Sequence, residues 1–366
     1  MLSHIYRKFF YNFIEFKLKP IFLKHFLFLV FFYNRYLFPL KADFSTIFNY
    51  YILKRRLKPK LKIPDTLIVV PSDLCNANCV FCAYRHLSYE KQFLSFELFK
   101  KAIDDYKKLG GKSLMLSPTI GEDLINKDFF EFIKYAKKQD FHVAIFTNGI
   151  LLNTNENYKK IIEFGIDDIF ISTGDILPKF EAEVFGIPIK LALEKLKGVI
   201  HLLEYKKETK SNIKITIGFR AKRPFREIWN TMKYTKFKYF FDKKYFHILF
   251  KTCYDNWCGN ITEKDLLGIM KLRRSPKLKK YPCSALWSIS VLPNGDIRLC
   301  GCRIKKNEYD DLVIGNLKNN DLFEILNNKK GEDVLVNWMN GKLVDVCVDC
   351  IRYGFPKIIK NKNFQL

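Results

Sequence analysis

From residue 66 to about 250, short apolar runs alternate with longer stretches in which apolar residues recur at helical spacing. Thr66-Leu67-Ile68-Val69-Val70 reads as a buried strand. The pattern predicts further strands over 113–116, 142–146, 168–172, 213–219 and 245–250. Between them it predicts helices over 95–109, 128–138, 157–164, 189–205 and 224–234. In the first of these, Ser95 is the expected N-cap, Leu98, Phe99, Ala102, Ile103 and Tyr106 share one face, and Gly110-Gly111 ends the helix. Six alternating β/α units imply a parallel sheet with helical crossovers, so functional residues should collect at the carboxyl ends of the strands. The alternation stops near Cys253. Beyond it, Trp287–Leu292 and Ile297–Cys300 flank the turn Pro293-Asn294-Gly295-Asp296 and read as a hairpin, followed by helices near 320–328 and 332–339. The expected organisation is an α/β unit over 63–254 and a smaller unit over 255–366.

Residues 1–62 differ from both. They are dense in Phe, Tyr, Leu and Lys, with only Glu15 and Asp43 as acids. The longest apolar run, Phe26 to Tyr33, falls well short of the roughly 20 residues a spanning helix needs. The segment suits an interfacial anchor, with Lys and Arg beside aromatics, or helices packed on the main domain or a partner. The formal net charge of the chain is +25, but the charge is spread along it rather than gathered in one block. That spread is what a general bias toward Lys produces. It argues against nucleic acid as a partner and leaves a membrane surface open.

The ten cysteines change the picture. No secretory signal is apparent, and tight cysteine clusters outside secreted proteins read as metal ligands more readily than as disulfides. The expected compartment is cytoplasmic, with a peripheral position at the inner face of the membrane if the N-terminal segment is an anchor. Cys75, Cys79 and Cys82 lie at a three-then-two spacing just after the first strand. Three thiolates can hold a four-iron cluster and leave one iron open, whereas a zinc site would need a fourth ligand from elsewhere in the chain. None of the six histidines pairs with another at metal-ligand spacing.

This loop, with Phe81 before its last cysteine, resembles that of the radical S-adenosylmethionine (SAM) superfamily. Three further segments at strand ends are similar to family motifs. Ser117 to Asp123 resembles a Gly-Gly-Glu-Pro segment, with Ile120 and Asp123 in place of the first glycine and the proline. Thr147-Asn148-Gly149 matches a Thr-Asn-Gly, and Ser172 stands where family members place a serine near the SAM ribose or carboxylate. The resemblance implies a partial (β/α)6 barrel. It implies a [4Fe-4S] cluster held by Cys75, Cys79, Cys82 and SAM, and a SAM site involving Phe81, Gly121, Glu122, Asn148 and Ser172. Arg220, just past the fifth strand, is placed to meet a carboxylate or is an ordinary surface arginine. In the C-terminal unit, Cys283, Gly295 and Cys300 with Cys347-Val348-Asp349-Cys350 and Gly315-Asn316-Leu317 resemble a SPASM/twitch extension. That likeness implies one auxiliary [4Fe-4S] cluster on Cys283, Cys300, Cys347 and Cys350. Cys302 is an alternative to Cys300, which the glycine spacing favours. Cys253 and Cys258 read as buried thiols of a linker.

The resemblance implies reductive cleavage of SAM to a 5′-deoxyadenosyl radical and abstraction of hydrogen from a substrate C–H. With one closed auxiliary cluster to accept an electron, it points to a dehydrogenase-like oxidation of a small-molecule or carbohydrate substrate. Reducing equivalents would come from a donor such as flavodoxin or ferredoxin. The alternatives are a peptide-modifying maturase, and a membrane- or complex-associated binding subunit whose clusters are structural.

Overall fold

The computed structural model describes residues 60–88, 90–274, 278–301 and 311–354. The N-terminal segment before residue 60, and Cys302, lie outside the described residues. Six parallel strands stand side by side in chain order: β1 (Leu67–Val69), β2 (Ser113–Leu116), β3 (His142–Thr147), β4 (Asp168–Thr173), β5 (Lys214–Arg220) and β6 (His247–Lys251). The crossovers carry α1 (Phe96–Lys108), α2 (Phe129–Lys138), α3 (Asn157–Glu163), α4 (Pro178–Phe185) with α5 (Ile189–Thr209), and α6 (Phe225–Met232) with α7 (Lys236–Asp242).

Right-handed crossovers between strands that never reverse order put every helix on the same face of the sheet. The other face is left as the lumen of a partial barrel. The burial pattern records this with the period of two that a strand imposes. In β4, Ile169, Ile171 and Thr173 are buried beneath the helices, while Phe170 and Ser172 are half-buried on the lumen side. In β5 the buried Ile215, Ile217 and Phe219 leave Arg220 on the lumen side, and in β6 Ile248 and Phe250 leave Leu249 and Lys251 there. The helix face of the sheet is the core. Phe99, Ala102, Ile103 and Tyr106 of α1 are buried on it as the periodicity predicts, and Phe99 stacks on Phe132 of α2 at 4.4 Å. Phe99 and Ile103 each contribute about 1.5–3 kcal/mol by leaving water. The Ser95 side chain caps α1 by accepting from the Leu98 N–H at 3.3 Å.

The C-terminal region does not stand apart. β9 (Ile289–Val291) lies parallel to β1, with Ile68 beside Ser290 and Val69 beside Val291. β10 (Asp296–Leu299) and β11 (Val313–Asn316) continue antiparallel, giving one nine-stranded sheet in the order β11-β10-β9-β1-β2-β3-β4-β5-β6. Three helices follow, α8 (Leu322–Leu326), α9 (Lys329–Met339) and α10 (Asp345–Val348). Asp321 and Glu324 form a capping box at the start of α8, and the Leu322 N–H donates to Asp105 of α1 at 3.3 Å. Residues 253–254, expected to be a linker, instead form β7 (Cys253–Tyr254), a short parallel pair with β8 (Lys271–Leu272). Among the described residues no helix is long and apolar enough to cross a membrane.

Candidate active site at the carboxyl ends of the strands

The loop after β1 is held from three sides. The Asn78 and Val80 N–H groups donate to the Phe185 and Val184 carbonyls at the end of α4, at 2.9 and 3.1 Å. Gly186, at φ +59°, ends α4 so close to the Asn78 carbonyl that a Cβ would overlap it. From β2 the Glu122 N–H donates to the Leu74 carbonyl at 2.7 Å. Here too a glycine is required: Gly121 sits at φ +115°, and a Cβ would overlap the Ser72 carbonyl oxygen. The third support is Tyr84, whose hydroxyl accepts from the Cys75 N–H at 3.2 Å.

Glu122 joins the loops after β2 and β3. It is 1% exposed. One carboxylate oxygen accepts from the Thr147 hydroxyl at 2.5 Å and the other from the Asn148 N–H at 2.7 Å. Burial pushes its pKa up to about 7, against the pull of those two donors. Asn148 is thereby aimed at the cysteine loop. Its side-chain amide reaches Asn76 Oδ1 at 2.8 Å and Cys75 Sγ at 3.8 Å. Asp123, where the resemblance has proline, is buried with neither carboxyl oxygen bonded among the described residues. Burial and then Glu122 hold it well above the usual carboxylate range, which favours the neutral acid.

The Phe81 ring stacks on Tyr254 at 5.7 Å and meets Phe185 edge-on at 5.8 Å. The Arg220 guanidinium lies 5.5 Å from the Phe81 ring and 5.7 Å from Phe170. Among the described residues its Nε is buried without a hydrogen-bond partner, so Arg220 is not an ordinary surface arginine. Such an orphaned donor carries a cost until an acceptor arrives. Ser172 faces the same lumen, and its carbonyl accepts from Lys195 Nζ at 2.8 Å. The structure thus brings Phe81, Gly121, Glu122, Asn148, Ser172 and Arg220 to the mouth beside Cys75, Cys79 and Cys82.

A second support was not foreseen. Lys195 of α5 and Glu181 of α4 form an ion pair with both side chains fully buried. Glu181 also accepts from the Gly174 and Asp175 N–H groups at 2.6 and 2.7 Å, fixing the turn after β4. Arg223 grips the other side of that turn with two 2.8 Å bonds to Asp175. Pro178 at the start of α4 and Gly186 at its end were the available signals for that helix.

The donor set fits iron. Burial raises all three thiols, Cys75 to about 12 and Cys82 to about 11, and Cys79 is raised further by its two neighbours. Thiolates in such a place need the positive charge of metal beside them. Among the described residues no three His, Cys, Asp or Glu side chains are close enough to share a single ion. A cluster that spreads its thiolates around a cube does not ask for that. At the second group, the Gly354 N–H donates to Cys283 Sγ and the Arg352 N–H to Cys350 Sγ, both at 3.4 Å. Lys279 Nζ holds the Cys347 and Val348 carbonyls at 2.9 and 2.6 Å. Cys300, at φ +59°, ends the hairpin next to Gly301, whose carbonyl accepts from Thr119 at 2.6 Å. Asn256 binds the Asp349 carbonyl at 2.8 Å, and Trp257 donates to the Phe81 carbonyl at 2.9 Å. The segment with Cys253 and Cys258 therefore ties one cysteine group to the other. Cys253 is buried and Cys258 half-buried.

Residues 69–197 match the family model described as the radical SAM superfamily, and residues 283–351 match an iron-sulfur cluster-binding domain model, SPASM. The chain is 32% identical over 132 residues to a tungsten-containing aldehyde ferredoxin oxidoreductase cofactor-modifying protein of Pyrococcus furiosus, covering 36% of each chain. It is 26% identical over 155 residues to a probable GTP 3',8-cyclase of Pyrobaculum aerophilum, covering 42% of this chain and 49% of that one. The matches thus span about a third to a half of these curated relatives. A solved structure of BtrN in complex with AdoMet and 2-DOIA aligns with a TM-score of 0.49 at 16% identity, covering 79% of this chain and 94% of that chain. SuiB of Streptococcus suis bound to S-adenosylmethionine aligns at 0.45 with 15% identity, over 77% and 69%.

Proposed function

Because the chain is a radical SAM protein with a C-terminal SPASM domain, we propose that it oxidises a C–H bond of a small-molecule, carbohydrate-like substrate. The domains carry a [4Fe-4S] cluster with SAM and auxiliary iron–sulfur, which when bound supply a one-electron reductive cleavage and a hydrogen-atom acceptor. The observation that carries the reading is the pairing of the three-cysteine loop with Arg220, whose buried Nε awaits an acceptor beside the Phe81 ring.

In this reading Cys75, Cys79 and Cys82 hold the first cluster, and Phe81 packs against the adenine. Arg220 takes the SAM carboxylate, and the Ser172 hydroxyl serves the same end of the molecule. Gly121 lets the loop after β2 close on the cysteine loop, and Glu122 aims Asn148 at it. The half-buried lumen side chains Phe146 and Phe170, stacked at 5.0 Å, exclude water from the reacting carbon. Cys283, Cys300, Cys347 and Cys350 would hold one auxiliary cluster, which would supply an acceptor for the electron left on the substrate. A flavodoxin or ferredoxin would supply the electron for SAM cleavage. The printed descriptions of the two relatives concern a cofactor and a nucleotide, which favours a small molecule over a peptide.

Anaerobic reconstitution is expected to give about eight irons per chain, and SAM with dithionite is expected to yield 5′-deoxyadenosine. A chain that takes up zinc instead and leaves SAM intact would sink the reading.

A further inference from the structure

Two lysines near the mouth of the barrel are placed in opposite ways. Lys195 is fully buried, paired with Glu181 and bonded to the Ser172 carbonyl at 2.8 Å. Lys251, the last residue of β6, is half-buried at a lumen-facing position. Among the described residues its amine has no hydrogen bond or ion pair, and it lies 5.6 Å from the Tyr254 ring. Its register partner on β5 is Arg220, also on the lumen side. Neighbouring strands are about 4.8 Å apart, so the sheet sets two cationic side chains next to each other. A guanidinium does not shed its proton, so the amine is the group that yields its charge.

Burial, and then the Arg220 guanidinium, hold the Lys251 pKa well below the usual lysine range. Arg352 acts in the same direction and Asp255 in the opposite one, and those two face each other at 3.9 Å. Arg273, whose N–H donates to the Tyr254 carbonyl at 2.8 Å, also acts against the charged amine. Tyr254 is held as the neutral phenol by burial, against the pull of Arg220. A lysine that is desolvated and set beside another cation keeps a free lone pair near neutral pH, and that makes it a nucleophile.

We propose that Lys251 is a nucleophilic amine that takes the carbonyl group of a small aldehyde or ketone as an imine at the lumen mouth. The amine nitrogen bonds to the carbonyl carbon, and the carbonyl oxygen leaves as water with the two amine hydrogens. No electron is transferred, so the step needs no oxidant or reductant, and water reverses it. The inference rests on the reading of a carbohydrate-like substrate and deepens it, because an open-chain sugar presents such a carbonyl. In that reading Arg220 is committed to the SAM carboxylate, and Lys251 beside it is left for the substrate. The imine would hold the molecule by one end, near the Phe170 ring that Arg220 also faces at 5.7 Å.

The test uses the reconstituted full chain at about pH 6.5, where ordinary lysines are almost wholly protonated. Glycolaldehyde, dihydroxyacetone and glycerol are added in turn, imines are fixed with cyanoborohydride, and the modified lysines are mapped by peptide mass spectrometry. The two carbonyl probes are expected to label Lys251 at least about tenfold faster than the exposed Lys100 and Lys138, and glycerol to label none of them. That ratio should fall as pH is raised to about 9.5, where ordinary lysines begin to lose their proton too. Arg220→Gln removes the neighbouring charge and should slow labelling of Lys251 severalfold at the lower pH. Labelling of Lys251 no faster than that of Lys100 in the wild-type chain would overturn the proposal, since the amine would then be an ordinary cation. A rate unchanged in Arg220→Gln would overturn the role given to the strand pair. The broader reading fails separately, by the absence of 5′-deoxyadenosine when the wild-type chain is given SAM and dithionite.

Discussion

The loop from Cys75 to Cys82 gathers three thiols from one short stretch, whereas Cys283, Cys300, Cys347 and Cys350 come from three separate segments. The first group is shaped by its neighbours in the barrel: Gly121 and Gly186 allow close backbone approach, and α4 pairs with the loop. The second is assembled by tertiary contacts, from Gly354 folding back on Cys283 to Lys279 holding the end of α10. A local group needs one loop to be right. A distributed group needs the hairpin, the C-terminal segment and the 253–258 bridge to be right together. The two groups are also joined, through Thr119 on Gly301 and through Trp257 and Asn256.

The largest expected effect separates their roles. Cys79→Ala should lower the iron content by about four and bring SAM cleavage to background. Cys347→Ala should lose a similar amount of iron, keep cleavage, and stop net oxidation of substrate. Iron assay and chromatography of 5′-deoxyadenosine read both, and equal loss of cleavage would break the division.

A smaller effect probes the local group through pH. Glu122 has a folded pKa of about 7 against an ordinary value of 4.5, so the folded state disfavours its charged form. Its contribution to stability is complete below pH 4.5 and is lost as pH rises through 7, a span of up to about 3 kcal/mol. Asp123, raised in the same direction, adds to the slope. In urea unfolding of the cluster-free chain, Glu122→Gln should flatten the fall in stability between pH 5 and 8. It should cost about 1 kcal/mol at low pH, because the side-chain amide cannot accept from both Thr147 and Asn148. An unchanged slope would locate the titration elsewhere.

The smallest effect tests the join. Thr119→Val removes one buried bond to the Gly301 carbonyl and should cost about 1–2 kcal/mol. Auxiliary iron should become easier to remove with a chelator, while iron on the cysteine loop is unaffected. Equal lability at both sites would show that the bond serves the barrel alone.

Legibility in the sequence followed the same division. The β/α alternation located β1 to β6 to within a residue or two at most ends, because each strand is a short apolar run bounded by turn residues. Asn148 and Glu122 were found through motifs at strand ends. Their hydrogen bond to each other was not, since it joins residues far apart in the chain. Lys195 and Glu181 gave no signal, since the helix carrying Glu181 was not among those predicted and only packing makes them a buried pair. β11 was passed over because Val313-Ile314-Gly315-Asn316 is too short to register as a strand without the hairpin beside it. Arg220 was legible at the end of its strand, but Lys251 was not, and only strand register sets the two side by side.

The pairing of β9 with β1 bears on how the chain is made. During synthesis, β1 emerges early, yet the strand that covers its outer edge is translated only after all the crossovers. Until then that edge presents unpaired N–H and C=O groups, a template for association with another chain. The barrel therefore passes through a long interval on the ribosome in which it is nearly complete but open on one side. Contacts of such sequence separation also slow the final closure. Chaperone dependence, and the yield of any shortened form, will turn on how that one seam is protected.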